Sequence, residues 1–219
     1  MIDIKEKIYI LLCAMFIALV LVGNMIYQKF VYLPIFGIYT FQISAGAILY
    51  PLTFLVSDLI IEFYGTNRAK FCLRLSILIS FFISIMIYSI AGLKAVPWSK
   101  VDDELFKLVF GHFGIAFAAS IFTSYISQSI DIYVYSLLKK LTTNKYLWLR
   151  NNLSSAISLF IDTALITVLL ALFGILPKEQ IDNLIFNSYL FKVLFTICIT
   201  PLFYLAHYLI EQKTKIISQ

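Results

Sequence analysis

Ile8-Tyr9-Ile10-Leu11-Leu12-Cys13-Ala14-Met15-Phe16-Ile17-Ala18-Leu19-Val20-Leu21-Val22-Gly23-Asn24-Met25-Ile26-Tyr27 runs for 20 residues without a charged side chain. One helix needs about that length to cross the hydrocarbon core of a bilayer. Five more charge-poor runs follow, so spans are predicted over residues 8–28, 39–61, 74–93, 112–137, 153–175 and 188–210. Hydrophobic residues make up 61% of the 219 and charged residues only 13%, against roughly 25% charged in soluble domains. No alternating strand-like polarity is evident, which argues against a β-barrel. The expected fold class is therefore all-α: one integral membrane bundle of six transmembrane helices, with residues 1–219 forming a single domain. The basic, then apolar N-terminus resembles a signal peptide, but no small-residue cleavage site follows the run, so a retained first helix is expected.

The basic residues orient this bundle. Eleven lysines and arginines fall in the N-tail, the second and fourth connections and the C-tail, against five on the other side. By the positive-inside rule both termini are cytoplasmic. The net charge of +5 thus flanks spans and is not a nucleic-acid surface. The longest connection, about 94–111, faces outside and is too short for a folded domain. No G-x-x-x-x-G-K-[ST] loop occurs, so nucleotide hydrolysis would need another subunit. Cys13, Cys72 and Cys198 are scattered, His112 and His207 lack ligand-spaced neighbours, and neither a metal site nor a disulfide framework is expected. Pro51 and Pro201 fall within spans and kink them, with a bend beside a cavity as the functional alternative. Gly114 with Ala118, and Ala116 with Ser120, suit close helix packing.

Against this apolar background the polar residues stand out. Ile126-Ser127-Gln128-Ser129-Ile130-Asp131 and Ile157-Ser158-Leu159-Phe160-Ile161-Asp162 both read I-S-x-x-I-D, in the fourth and fifth spans. A carboxylate inside a bilayer is costly and is kept where it has partners, facing a cavity or pathway. Asp131, Gln128 and Ser127 share one helix face. They present an acceptor beside an amide, which suits a planar heterocycle; an interhelical clamp, or pairing with Lys139 or Lys140, is the structural alternative. Asp162 lies deeper, with Ser158 and Ser155 on its stripe, and is expected to face the interior as substrate contact, proton carrier or buried pair. Asp58 and Glu62 stand four apart, followed by Arg68, Lys70 and Arg74. Either they form a helix-end ion-pair set, or Glu62 faces the cavity mouth while Asp58 pairs with an arginine. Arg150-Asn151-Asn152 opens the fifth span, where one Asn suits an N-cap and Arg150 can complement the acids. Gln42 and Asn24 are mid-span amides, either helix glue or substrate contacts. Lys192 is expected to snorkel to the outer interface, and Trp148 and Tyr146 to anchor at an interface.

Tyr50-Pro51-Leu52-Thr53-Phe54-Leu55-Val56-Ser57-Asp58-Leu59-Ile60-Ile61-Glu62-Phe63-Tyr64-Gly65, followed by Arg68-Ala69, resembles the signature of YhhQ-type queuosine precursor transporters. So do Ser127-Gln128-Ser129-Ile130-Asp131 and Leu149-Arg150-Asn151-Asn152-Leu153-Ser154 leading to Ile161-Asp162-Thr163. The resemblance implies a bacterial inner-membrane bundle of about six helices, similar to the binding subunits of vitamin uptake systems, that imports 7-deazaguanine bases for tRNA modification. It implies no cofactor, no nucleic-acid partner and no dedicated ATPase. A Gln beside the fifth-span acid is expected of the family, and this chain has Leu159 there. The substrate-binding residues expected are Asp131, Gln128, Asp162, Asn152, Arg150, Ser158, Glu62 and Gln42. A guanine-like edge offers a ring N–H and an exocyclic amine that one carboxylate accepts together, and a second carboxylate would pair with a cationic aminomethyl arm. The competing readings are a binding subunit of an ATPase-energised uptake system for another cargo, an intramembrane enzyme with an acid pair, and an assembly protein whose acids are clamps.

Overall fold

A computed structural model describes residues 3–35, 37, 39–110, 113–143 and 145–215. The elements are α1 (Ile4–Ile26), β1 (Phe30–Ile35), β2 (Tyr39–Ser44), α2 (Ala45–Tyr64), α3 (Thr66–Ala91), α4 (Asp103–Phe110), α5 (Phe113–Leu141), α6 (Leu147–Leu172), a 3-10 turn (Lys178–Gln180) and α7 (Ile181–Lys215). Five helices, α1, α2, α3, α6 and α7, are long and apolar enough to cross a bilayer. At 29 residues α5 has the length. Thr123, Ser124, Ser127, Gln128 and Asp131 are all buried along it. His112 lies outside the described residues.

The all-α expectation needs one correction. Residues 39–44, expected to begin the second span, form β2, paired antiparallel with β1 in the register Phe30↔Ser44 to Ile35↔Tyr39. A charge-free run does not distinguish a helix from a strand; the period does. In β2, Phe41 and Ile43 are buried and the neighbouring Thr40 and Gln42 exposed, the two-residue alternation of a sheet. Phe41 stacks edge-on against Phe191 of α7, and with Ile43 and Ala47 forms a small core that holds the hairpin to the bundle. Tyr39 also donates a 2.9 Å hydrogen bond to Asn187 of α7.

Ser44 joins the hairpin to both flanking helices. Its hydroxyl donates to the Tyr27 carbonyl at the end of α1 and accepts from the Gly46 amide as the N-cap of α2. Gly46 permits the contact. A Cβ there would stand 2.5 Å from the Gly23 carbonyl oxygen and 3.1 Å from Tyr27 Cα, both backbone atoms that cannot swing aside. Gly46→Ala is expected to separate α1 from α2 and to cost about 1–3 kcal/mol, the usual range for overpacking, read as a lower melting temperature in detergent. Gly65, at φ +82°, ends α2 and turns the chain into α3, a conformation open to glycine.

Leu78, Phe81 and Phe82 of α3 are exposed, as lipid-facing residues are. Hydrophobic burial gives little drive to helix association in lipid, where polar contacts and close packing matter more. The polar residues inside this bundle therefore contribute to its packing.

Candidate functional site

Three helices carry a polar column through the bundle. On α6 the buried residues Ser154, Ser155, Ser158, Asp162, Thr163 and Thr167 fall on one stripe, at the three- and four-residue spacing of one helical face. On α5 the matching stripe is Thr123, Ser124, Ser127, Gln128 and Asp131, and on α2 it is Thr53, Ser57 and Asp58. Cross-links fix the relative directions. Gln128 meets Thr53 and Tyr135 meets Glu62, so α2 and α5 run parallel. Arg150 meets Glu62 and Asp162 meets Ser127, so α6 runs against them. From Tyr50 to Glu62 the column spans about 18 Å at 1.5 Å per residue.

Its upper end is a cavity of about 90 Å³ beneath the hairpin. Asp162 is its anionic group. Lys192 of α7 donates to Asp162 Oδ2 at 2.9 Å and to Thr163 Oγ1 at 3.0 Å, and Ser127 donates to Asp162 Oδ1 at 3.2 Å. The Lys192 ammonium also stands 4.9 Å from the centroid of the Tyr50 ring. Asn24 Nδ2, Tyr27 Oη and Thr123 Oγ1 are buried without a hydrogen-bond partner, and all three residues line the cavity. Buried polar atoms are nearly always satisfied, so three orphans around one cavity mark places where a bound molecule can supply the missing partner. Asn24 is held from its other side by Ser120, which donates to Oδ1. Pro51 cannot donate to the carbonyl of Ala47, another lining residue, so the helix interruption lies beside the cavity.

Below the cavity the column continues. Gln128 donates to Thr53 Oγ1 at 3.0 Å, while its Oε1 has no partner. Asp58 and Asp131 come next, fully buried and interacting with each other across the α2–α5 contact. Ser154 and Ser158 stand beside Asp131 on the α6 side. At the far end Glu62 accepts from Arg150 Nη2 at 2.7 Å and from the Tyr135 hydroxyl at 2.9 Å, with Lys139 Nζ 3.3 Å away. Arg150, 2% exposed, also donates to the Tyr135 hydroxyl and to the Lys145 carbonyl.

Several expectations change here. Lys192 is buried and paired with Asp162, not at the outer interface, because α7 packs along α6 and sets it opposite the carboxylate. Of the alternatives for Asp58 and Glu62, an ion pair does form at the end of α2, but Glu62 holds Arg150 and Lys139, and Asp58 has no cation bonded to it. Asp131 is not paired with Lys139, which goes to Glu62. Gln42 is on the outward face of β2 rather than mid-helix; it accepts from Asn183 at 3.5 Å and lines a shallower cleft with Gln180 and Leu184. Asn152 faces α7 and exchanges hydrogen bonds with Thr200, outside the column. Ser158 donates to the Ser154 carbonyl and stands beside Asp131. His207 does have an acidic neighbour, Glu211 at 3.9 Å, and packs on Phe63. Of the eight expected site residues, Asp162 lines the cavity; Gln128, Asp131, Ser158, Arg150 and Glu62 form the column below. Tyr27 and Thr123 carried no sequence signal, since a tyrosine and a threonine are ordinary in such helices.

The family described as "putative vitamin uptake transporter" matches residues 44–206, which include every layer of the column. A protein of Bacillus subtilis (strain 168) described as "Probable queuosine precursor transporter" is 24% identical over 173 residues, covering 78% of this chain and 75% of the relative. No solved structure matches the chain at a significant level. Family and relative are transporters, not enzymes. With its apolar helices arranged around a cavity and a buried polar column, the chain belongs to the vitamin uptake transporter family and is a multi-pass membrane transporter, not an enzyme.

Proposed function

We propose that the protein imports a queuosine precursor, a 7-deazaguanine base, across the bacterial inner membrane for tRNA modification. The six spans are then α1, α2, α3, α5, α6 and α7, with both termini cytoplasmic. The hairpin, α4 and the 3-10 turn lie outside, and the cavity opens outward beneath the hairpin. The observation that carries this reading is the cavity with Asp162 in its wall and unpartnered Asn24, Tyr27 and Thr123 around it. A 7-deazaguanine offers a ring carbonyl for the Asn24 amide and N–H groups for hydroxyl or carboxylate oxygens. Its flat ring can stack on Tyr27 or Tyr50. Beneath, Gln128 Oε1 and the Asp131 carboxylate are the next acceptors on the way to the cytoplasm, with Ser158 alongside. Glu62 and Arg150 close the inner end. Gln42 belongs to the outer mouth, and Asn152 is structural. The relative's description supports the cargo class. The protein works without a dedicated ATPase.

Thermal unfolding of the purified protein in detergent tests this reading. A ligand that binds only the folded state stabilises it by about 2.7 kcal/mol at one hundred times its Kd. A 7-deazaguanine base is expected to raise the melting temperature in a concentration-dependent way, and an unrelated vitamin to leave it unchanged. The reverse pattern, or ATPase subunits co-purifying from the native membrane, would support the ATPase-energised uptake reading instead.

A further inference from the structure

The cavity wall carries no net charge. Among the described residues Asp162 and Lys192 are the only charged groups lining it, and they are paired at 2.9 Å with both side chains 5% exposed. Two of the three ammonium N–H groups are committed, to Asp162 and Thr163, and the cation also stands over the Tyr50 ring. Asp162 is therefore not a free anion awaiting a cationic cargo. An incoming ammonium would have to displace Lys192, stranding a buried cation, or settle beside it as a like charge. Both are unfavourable in a low-dielectric site. The groups left without partners are an amide and two hydroxyls, which suit an uncharged molecule.

We propose that Lys192 makes this cavity a charge filter: among deazaguanine-like cargoes the protein takes up an uncharged heterocycle and turns away one with a cationic side arm. The inference rests on the import reading above and narrows its substrate class. 7-Cyano-7-deazaguanine meets the filter. 7-Aminomethyl-7-deazaguanine, protonated at neutral pH, does not, and neither does queuine, whose side arm contains an amine. Lys192 thus determines specificity by occupying the carboxylate that would otherwise draw in an amine.

The test compares two cargoes of nearly identical shape, 7-hydroxymethyl- and 7-aminomethyl-7-deazaguanine, alongside the 7-cyano base. Uptake is measured in cells that lack their own carrier and express the wild-type chain. The two neutral bases are expected to enter roughly tenfold faster or more, because a like charge beside Lys192 weakens binding of the amine. Lys192→Met, which frees Asp162, is expected to narrow or reverse that ratio at matched membrane levels. Equal uptake of the hydroxymethyl and aminomethyl bases by the wild type would overturn the filter while leaving the import reading intact. So would a ratio unchanged in an active Lys192→Met protein. Uptake of none of the three would sink the import reading, and the filter with it. The wild-type comparison decides the matter even where Lys192→Met does not fold.

Discussion

Asp162→Asn is expected to lower uptake by roughly 10–100-fold, the effect of losing one charge-assisted hydrogen bond worth about 1.5–3 kcal/mol. The substitution removes the only anion among the described residues lining the cavity and leaves Lys192 buried beside a neutral amide. Part of the loss could therefore come from a weakened fold rather than from cargo binding. The double variant Asp162→Asn/Lys192→Met separates the two, because it removes both charges of the pair. It is expected to recover membrane level and melting temperature while uptake stays low. Wild-type uptake by the double variant would show that Asp162 serves the fold alone. Asp131→Asn provides the companion measurement below the cavity. It is expected to lower uptake at a matched membrane level, with Asp58, Ser154 and Ser158 still beside the new amide.

The largest effect on stability is expected at Arg150. It is 2% exposed, bonds Glu62 at 2.7 Å, and reaches Tyr135, whose hydroxyl donates in turn to Glu62. This cluster ties α2, α5 and α6 together at the end of the column opposite the cavity. Removing one partner of a buried ion pair costs about 3–5 kcal/mol because the other charge is stranded. Lys139 remains near Glu62 at 3.3 Å, so Arg150→Met is expected toward the lower end of that range. Arg150→Met/Glu62→Leu should be more stable than the single variant, since it leaves no stranded carboxylate. A melting temperature for Arg150→Met equal to that of the wild type would remove the cluster from the account.

The membrane character, the buried Asp162 and the match of Arg150 with an acid were all legible in the sequence. Each follows from one-dimensional facts: run length, the cost of a carboxylate in lipid, and the need of a buried arginine for an anion. What escaped depended on how helices are rotated and set against one another. Lys192 sits near enough to a helix end to suggest snorkelling, and only the packing of α7 on α6 turns it inward. Asp58 and Glu62 share one helix face, so their spacing could not say which of them meets Arg150. The hairpin is hidden because a run without charges reads equally as helix or strand, although Phe41 and Ile43 are buried with period two. Tyr27 and Thr123 became candidates only when burial left their hydroxyls without partners.

The central claim, that this cavity admits a queuosine precursor for import, is tested most directly by whole-cell uptake. The host lacks its own carrier and cannot make 7-deazaguanine bases, and queuosine is measured in its tRNA after 7-cyano-7-deazaguanine is supplied at low concentration. The account predicts that the wild-type chain restores queuosine and that Asp162→Asn, at equal membrane level, does so poorly. A host whose tRNA stays unmodified with the wild-type chain in its membrane would contradict it.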